Sequence, residues 1–496
     1  MKLMKKLTIS LIILIITISY ACENNLDLAP ISSITTNSFW KTEDDAEGAL
    51  YGMYSQFRTT LNGNQNILYW MDFRSGFWTI GTAGGAGDNE KLWQNNMDAS
   101  TTSTNWSPLY TLINDCNLIL KYTPGITFSN QTFKDEVLGH AYFVRAYAYF
   151  KLAQLWGDVP IVTEGFESIN QELYNPRSPV AEVYALVKED IAQAVEKLPA
   201  RSPGVKPWMA SKEAANMLKT EICLWLAKRA GGGNAELTAA RNAIDSVLLN
   251  SYILENNYAD AFRNDKSKEI IFSIYFDYSE EPNPSGRDIG QYGWNFVNNI
   301  NYVPAALRDM VPHSGSTQWL TLSPDYTLRF LNPESEDQRT AVNWQEIPNP
   351  SGGTVKWINK YLGTLIEGTR RFYDDIRIYR QAEAYLFKAE VENALDNKDV
   401  AIANLNIVAK RAYGIDDYYP LSLTKTEVDA AILEERLIEF AAEGKSWLDI
   451  IRFGKAFEII TSLVGREGDN QGNILLFPVN QDVISRNTKI TQTPGY

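Results

Sequence analysis

Apolar residues recurring at intervals of three and four positions run through most of this chain, and that period restricts it to a mainly helical architecture. The clearest stripe lies at 135–156, where Val137, Ala141, Val144, Ala148, Leu152 and Leu155 fall on one face. Similar stripes occupy 109–122, 180–198, 211–230, 236–250, 374–395, 399–413 and 427–443. A first helix is predicted to begin near Asn37 or Ser38 and to run through DDAEGALYGMYSQF, with Ala46, Ala49, Leu50 and Met53 inward. Gly231-Gly232-Gly233 reads as a helix stop and turn. Stripes 109–122 and 135–156, 180–198 and 211–230, and 374–395 and 399–413 come as neighbours. With Ala141, Ala148, Ala215, Ala389 and Ala403 at close-packing positions, they read as tetratricopeptide-like helix pairs without a regular repeat.

Two irregular stretches interrupt the helices. Residues 60–108 are rich in Gly, Asn, Thr and Trp, and residues 276–360 in Pro, Gly, Asn and aromatics. Loops of that length in a folded chain are unusual and tend to carry function. EIIFSIYF at 269–276 predicts a strand at the edge of the second stretch.

The N-terminus reads as an address. Lys2, Lys5 and Lys6 precede an apolar run from Leu7 to Ile18, which falls short of the roughly 20 residues that span a bilayer. A secretory signal over 1–21 follows, with cleavage between Ala21 and Cys22 and lipidation of Cys22, although Ser19 stands where such signals usually carry Leu. Residues 22–36 then form a lipid-bearing polar tether, and 37–496 a single helical domain. Loss of the signal takes three lysines and moves the net charge from −14 to −17. So acidic a chain is poorly suited to nucleic acid, whose binding rests on Lys and Arg at phosphates. Cys116 and Cys223 sit at apolar helical positions, so buried free thiols are expected.

Several clusters invite a chemical reading. Glu435, Glu439 and Glu443 share a helical face at intervals of four and would repel unless partnered. An internal ion-pair network with Arg436 and Arg452 accounts for them better than catalysis. The glycines of 81–87 lack the Lys-Ser/Thr of a phosphate loop. His140 and His313 are the only histidines, without zinc spacing, and His140 lies within an apolar helix as a packed residue. No Ser-His-Asp or Cys-His set can be nominated. No metal or cofactor is called for. A glycosidase needs only two carboxylates, and Asp374-Asp375 or Asp88/Glu90 would serve formally. Asp374-Asp375, however, opens a predicted helix, where acids suit the N-terminal dipole.

The aromatic loops carry the functional expectation. Aromatics make up 12% of the chain, and Trp and Tyr suit a surface that must be apolar with a polar rim. Sugar rings pack their C–H faces on flat aromatic rings, while their hydroxyls need polar partners around the edge. The first loop offers Tyr69, Trp70, Phe77, Trp78 and Trp93, with Asp72, Arg74, Asn89 and Asn95 for hydrogen bonds. The second offers Tyr292, Trp294, Trp319 and Tyr326, with Arg287, Asn295 and Gln318. Trp70, Arg74, Trp78, Trp93, Tyr292, Trp294, Trp319 and Tyr326 are the candidate ligand contacts, and Trp106 is assigned to the core.

Across nearly the whole chain after the signal, short motifs in order resemble the SusD/RagB family of outer-membrane nutrient-binding lipoproteins. They begin with Leu26-Asp27, Pro30, Phe39-Trp40, Asp45-Ala46, Ala49, Gly52 and Tyr54. Arg145-Ala146, Gly157-Asp158-Val159-Pro160, Ala389-Glu390, Asn406 and Arg411-Ala412 follow. The strongest block is Glu435-Arg436, Glu439-Phe440, Glu443-Gly444, Trp447, Asp449, Arg452 and Gly454, and the chain closes on Gln492-Thr493-Pro494-Gly495-Tyr496. Ala409, Asn480 and Thr493 depart from the usual pattern. The resemblance implies a helical fold with tetratricopeptide-like units and an irregular ligand-facing part. It also implies oligosaccharide cargo, a lipid anchor in the outer membrane, no enzymatic activity, and a TonB-dependent transporter of the SusC type as partner. A peptide- or protein-binding lipoprotein is the alternative from another class, and a hydrolase the third.

Overall fold

The computed structural model describes residues 39–63, 66–81, 87–168, 171, 174–264, 266–280, 300–312, 320–331, 336–350 and 352–496. Among them, nine helices reach fourteen residues or more. They are α1 (Glu43–Asn62), α2 (Ser107–Tyr122), α3 (Gln131–Trp156), α4 (Val180–Lys197), α5 (Lys212–Arg229), α6 (Gly233–Leu248), α7 (Gln381–Ala394), α8 (Lys398–Tyr413) and α9 (Lys425–Glu439). The apolar stripes locate all nine. The long first helix starts at Glu43, because Thr42 and Asp45 close a capping box there.

Each of α1 to α8 packs against the next, and α9 returns onto α7. The chain is thus a succession of helix hairpins, as the alanine-lined pairs predict. One apolar cluster runs from Ala46 to Ile490, and a smaller one joins α7, α8 and α9 through Leu386, Ile402, Leu405 and Ile432. Cys116 and Cys223 are free and buried. His140 is fully buried, with Nδ1 2.7 Å from the Tyr54 hydroxyl. No helix among the described residues is long and apolar enough to cross a membrane.

The strands among the described residues form four antiparallel two-stranded ribbons. β1 (Trp78–Ile80) pairs with β3 (Leu320–Leu322), and β2 (Ile270–Ile274) with β8 (Ile376–Arg380). β4 (Gln345–Pro348) pairs with β5 (Thr354–Trp357), and β6 (Thr364–Ile366) with β7 (Thr369–Arg371). β2 confirms the strand expected at 269–276. Its partner β8 overturns the helix expected from 374. Asp374 and Asp375 open no helix: Asp375 accepts hydrogen bonds from Ser273 Oγ and Phe276 N, both 3.0 Å, and Asp374 accepts one from Gly363 N. The apolar alternation of 376–380 is shared by a buried strand and a helix start, and β2 decides it.

The stripe at 427–443 is also shorter than its period suggests. α9 stops at Glu439, and Ala442 and Gly444 take positive φ of 59° and 70°. A Cβ on Gly444 would stand 2.9 Å from Ile67 Cγ1 and 3.0 Å from the Ile67 carbonyl oxygen, so only glycine lets the turn close on that segment.

This turn seats a buried ionic core. Arg380 donates to Glu443 (3.0 and 2.9 Å), Glu269 (2.8 Å) and Glu439 (2.5 Å), and also to the Glu439 carbonyl. Arg411 adds a bond to Glu439, Arg339 pairs with Glu435 at 2.6 Å, and Lys360 with Glu443 at 2.8 Å. The expected network exists, but its partners differ from those expected. Arg436 pairs with Glu383 and Asp449, and Arg452 with Glu390 and Asp449. A helix turns 100° per residue, so Arg436 leaves α9 on a different bearing from its neighbour Glu435. The cations for the glutamate face arrive from elsewhere in the chain.

Candidate functional site

Four of the eight candidate ligand residues are buried and committed to protein partners. Trp70 donates from Nε1 to the Ser103 carbonyl at 2.8 Å and sets its ring edge-on to Trp156, which also meets Trp106 and Phe477. Trp78 packs on Phe73. Tyr326 packs on Phe77 and Phe330 and donates to the Leu437 carbonyl at 3.1 Å. Arg74 donates to the Ile474 and Leu475 carbonyls and to Asn95 Oδ1, with its guanidinium 4.1 Å over Trp447. Burial without a carboxylate partner brings its pKa down to about 10. These residues leave the ligand set: the first loop folds into short turns at 66–71 and 73–75 whose rings fill the core. Trp106 is buried, as expected. Tyr292, Trp294 and Trp319 lie outside the described residues, as do Arg287, Asn295 and Gln318.

Among the described candidates, Trp93 alone keeps part of its surface accessible. It ends the short helix Glu90–Trp93, is half-buried, and rests against Phe73 at 6.3 Å. Its carbonyl accepts from Ser462 Oγ. The β1–β3 ribbon lies alongside, and it ties the two irregular stretches to each other. Ile80 pairs with Leu320, Ser323 N donates to the Phe77 carbonyl, and Ser323 Oγ donates to the Gly76 carbonyl.

A second concavity lies on α1, where no candidate was named. A cavity of about 270 Å³ is lined by Tyr51, Tyr54, Arg58, Trp208, Ile274 and Tyr275, among others. Trp208 and Tyr275 sit 4.8 Å apart at 38°, both half-buried, and Tyr51 is 47% exposed. Arg58 Nη1 donates to the Tyr275 carbonyl at 3.0 Å, Tyr275 Oη to Asp277 at 2.7 Å, and Tyr51 Oη to Glu47 at 2.9 Å. One signal was legible: Tyr51 sits off the apolar stripe of its helix. Trp208 carried none, because the 199–210 segment has no period.

The charged cluster below Gly444 encloses only about 20 Å³, lined by Lys151, Glu221, Glu383, Arg436, Glu443, Lys445 and Asp449. That is room for one water and no substrate, and Lys151, Glu221, Glu383, Arg436 and Lys445 are all engaged in ion pairs. Among the described residues, no three His, Cys, Asp or Glu side chains gather in a metal-holding arrangement.

One acid beside this cluster stands out. Burial pushes the Asp72 carboxyl up to about 7, against weaker hydrogen bonds from Ser446, Trp78 and Gly444. The folded chain therefore holds a proton that the unfolded chain gives up near pH 4. Stability should fall as pH rises from about 4 to about 7, by on the order of 4 kcal/mol from this group. Asp72→Asn should remove that slope in denaturation midpoints measured from pH 4 to 8. A variant with the parent's slope would show that Asp72 ionises freely.

The comparisons with known proteins agree over the whole length. A family described as starch-binding and associating with the outer membrane matches residues 64–224, and the SusD family matches 334–496. A SusD-like protein of Formosa agariphila is 28% identical over the full length of both chains. The starch-binding protein SusD of Bacteroides thetaiotaomicron is 23% identical, with 96% of each chain covered. Among solved structures, NanU of Bacteroides fragilis superposes with a TM-score of 0.79 at 26% identity, covering 94% of this chain and 99% of its own.

Proposed function

The chain belongs to the SusD/RagB family, and from that premise we propose that it captures oligosaccharide at the outer membrane and delivers it to a TonB-dependent transporter of the SusC type. The observation that carries this reading is the β1–β3 ribbon, which joins the two aromatic-rich stretches beside the partly accessible Trp93. Trp93, Tyr292, Trp294 and Trp319 are the stacking residues of this reading. A sugar ring lays its C–H face on an indole, and side-chain amides and carboxylates at the rim take its hydroxyls. Binding then needs no covalent chemistry. The starch-binding relative and the outer-membrane family description support the cargo class and the location. Lipidation of Cys22 would hold the chain at that membrane, with 23–36 as the tether.

Calorimetric titration of the protein against plant, host and microbial oligosaccharides tests this directly. One glycan class should give a saturable signal, and Trp93→Ala or Trp294→Ala should weaken it at least about tenfold, since an aromatic platform contributes on the order of 1–2 kcal/mol. Circular dichroism should show both variants folded. Parent-like binding by both variants would remove these residues from the site. Silence of the folded parent across the panel, with a peptide bound instead, would overturn the cargo class.

A further inference from the structure

We propose that the cleft on α1 is a second carbohydrate subsite, built for a neutral sugar ring and separate in its residues from the loop site around Trp93. The proposal rests on the reading of this chain as a glycan binder and adds a site to it.

Three features of the cleft carry the inference. First, its lining is aromatic: Trp208 and Tyr275, half-buried and packed on each other at 38° with centroids 4.8 Å apart, line it together with the exposed Tyr51. The ring surface left free by that contact is apolar, as are the flat sides of a sugar ring. Second, the edge is polar and adapted to hydroxyls. The Tyr51 and Tyr275 hydroxyls are held in place by Glu47 and Asp277, Arg58 is anchored by the Tyr275 carbonyl, and Ser55 is exposed. Two carboxylates against one guanidinium leave this edge slightly acidic, which disfavours phosphate, sulfate or uronic acid and suits an uncharged polyol. Third, the helix beside the cleft is kept bare. Gly48 and Gly52 lie on the exposed side of α1, in line with Ser55, and a Cβ on either would meet nothing within 4 Å. Glycine is a poor helix residue next to alanine, and among the described residues nothing stands close enough to demand it at either position; the bare backbone leaves space alongside the helix. At about 270 Å³ the cleft itself has room for a sugar ring.

The test is calorimetric titration of the protein with neutral oligosaccharides of gluco, xylo, manno and galacto configuration, each up to six residues long. For the sugar that the parent binds, Trp208→Ala and Tyr51→Ala should each lower the affinity at least about fivefold or delete a second binding event, and Trp208→Phe should restore most of it. Tyr51 is a surface residue, so its variant reads binding even if Trp208→Ala fails to fold. Gly52→Ala should raise the melting temperature and weaken binding at once, a pairing that a purely structural glycine would not produce. If Trp93→Ala abolishes binding while Tyr51→Ala, Trp208→Ala and Gly52→Ala bind as the parent does, the cleft proposal is wrong and the loop reading stands. If the cleft variants lose binding and Trp93→Ala does not, the cleft is a site and the loop placement fails. A parent that binds no neutral sugar overturns the cleft proposal, and the loop reading falls with it only if the wider oligosaccharide panel is silent too.

Discussion

Arg380→Met should cost about 3–5 kcal/mol, enough to bring a protein of ordinary stability close to unfolding. Methionine keeps the length of the side chain, and what it removes is the guanidinium between three buried carboxylates. Arg380 bonds to Glu269, Glu439 and Glu443, and all four side chains are at most 1% exposed. Without it, Glu443 keeps Lys360, Glu269 and Glu439 share Arg411, and Glu439 shares Arg339 with Glu435 and Asp337, so five buried carboxylates face three cations. Breaking one partner of such a set is costlier than replacing the whole set by apolar groups. The double variant Arg380→Met with Glu439→Gln should therefore recover part of the loss, and the cycle of four proteins measures the coupling. The readout is the urea midpoint at pH 7. A parent-like midpoint for Arg380→Met would show that the network contributes nothing to holding the C-terminal block together.

The same network predicts a steep acid limb. Burial alone would raise the carboxyls of Glu221 and Glu390, but Lys151 and Lys445 outweigh it at the first and Arg452 and Lys228 at the second, and both come down to about 2. Arg411, Arg380 and Arg339 hold Glu439 lower still. In the unfolded chain these acids titrate near 4.5. The folded pKa is depressed, so their contribution is fully present above about pH 5 and is lost as pH falls toward 2. Each of Glu221 and Glu390 contributes about 3 kcal/mol on this count. Urea midpoints should drop steeply as pH falls from about 4.5 to 2, with uptake of two or more protons on unfolding. Glu221→Gln should flatten that limb by about one proton. A parent that keeps its midpoint down to pH 3 would contradict the assignment. Asp72 acts in the opposite sense at higher pH, so the stability maximum should fall between the two limbs.

Function and stability draw on different parts of the chain. The ionic core lies where α7, α8, α9 and β8 meet, and its charges pair with other protein groups. The cavity beside it, about 20 Å³, is too small for a ligand. The aromatics offered to a ligand in these readings lie elsewhere, at the end of the helix Glu90–Trp93 and along α1. This separation explains why a block so dense in Glu, Asp and Arg is compatible with a binding protein: its residues hold the framework on which the loops are mounted.

The helical architecture was legible in the chain because the 3.6-residue period is a local property of the backbone, and an apolar stripe records it wherever one side of a helix is buried. Val137, Ala141, Val144 and Leu155 locate α3 for that reason. The motif sequence of the C-terminal block likewise announced an ion-pair network. Its pairings were decided only in three dimensions. Arg380 and Arg411 come from other elements to meet Glu439, and no spacing along α9 encodes their arrival. The loops show the same limit more sharply. Trp70, Trp78 and Trp93 share one irregular stretch and one composition, yet two are buried and one is partly accessible. What separates them is how completely other chain covers each ring: Trp70 lies against Trp156, whereas Trp93, though its carbonyl meets Ser462, is covered only in part. Burial outside a periodic element is set by whatever long-range packing covers each ring, so local sequence determined that these loops are aromatic, and tertiary structure alone decided which rings face out.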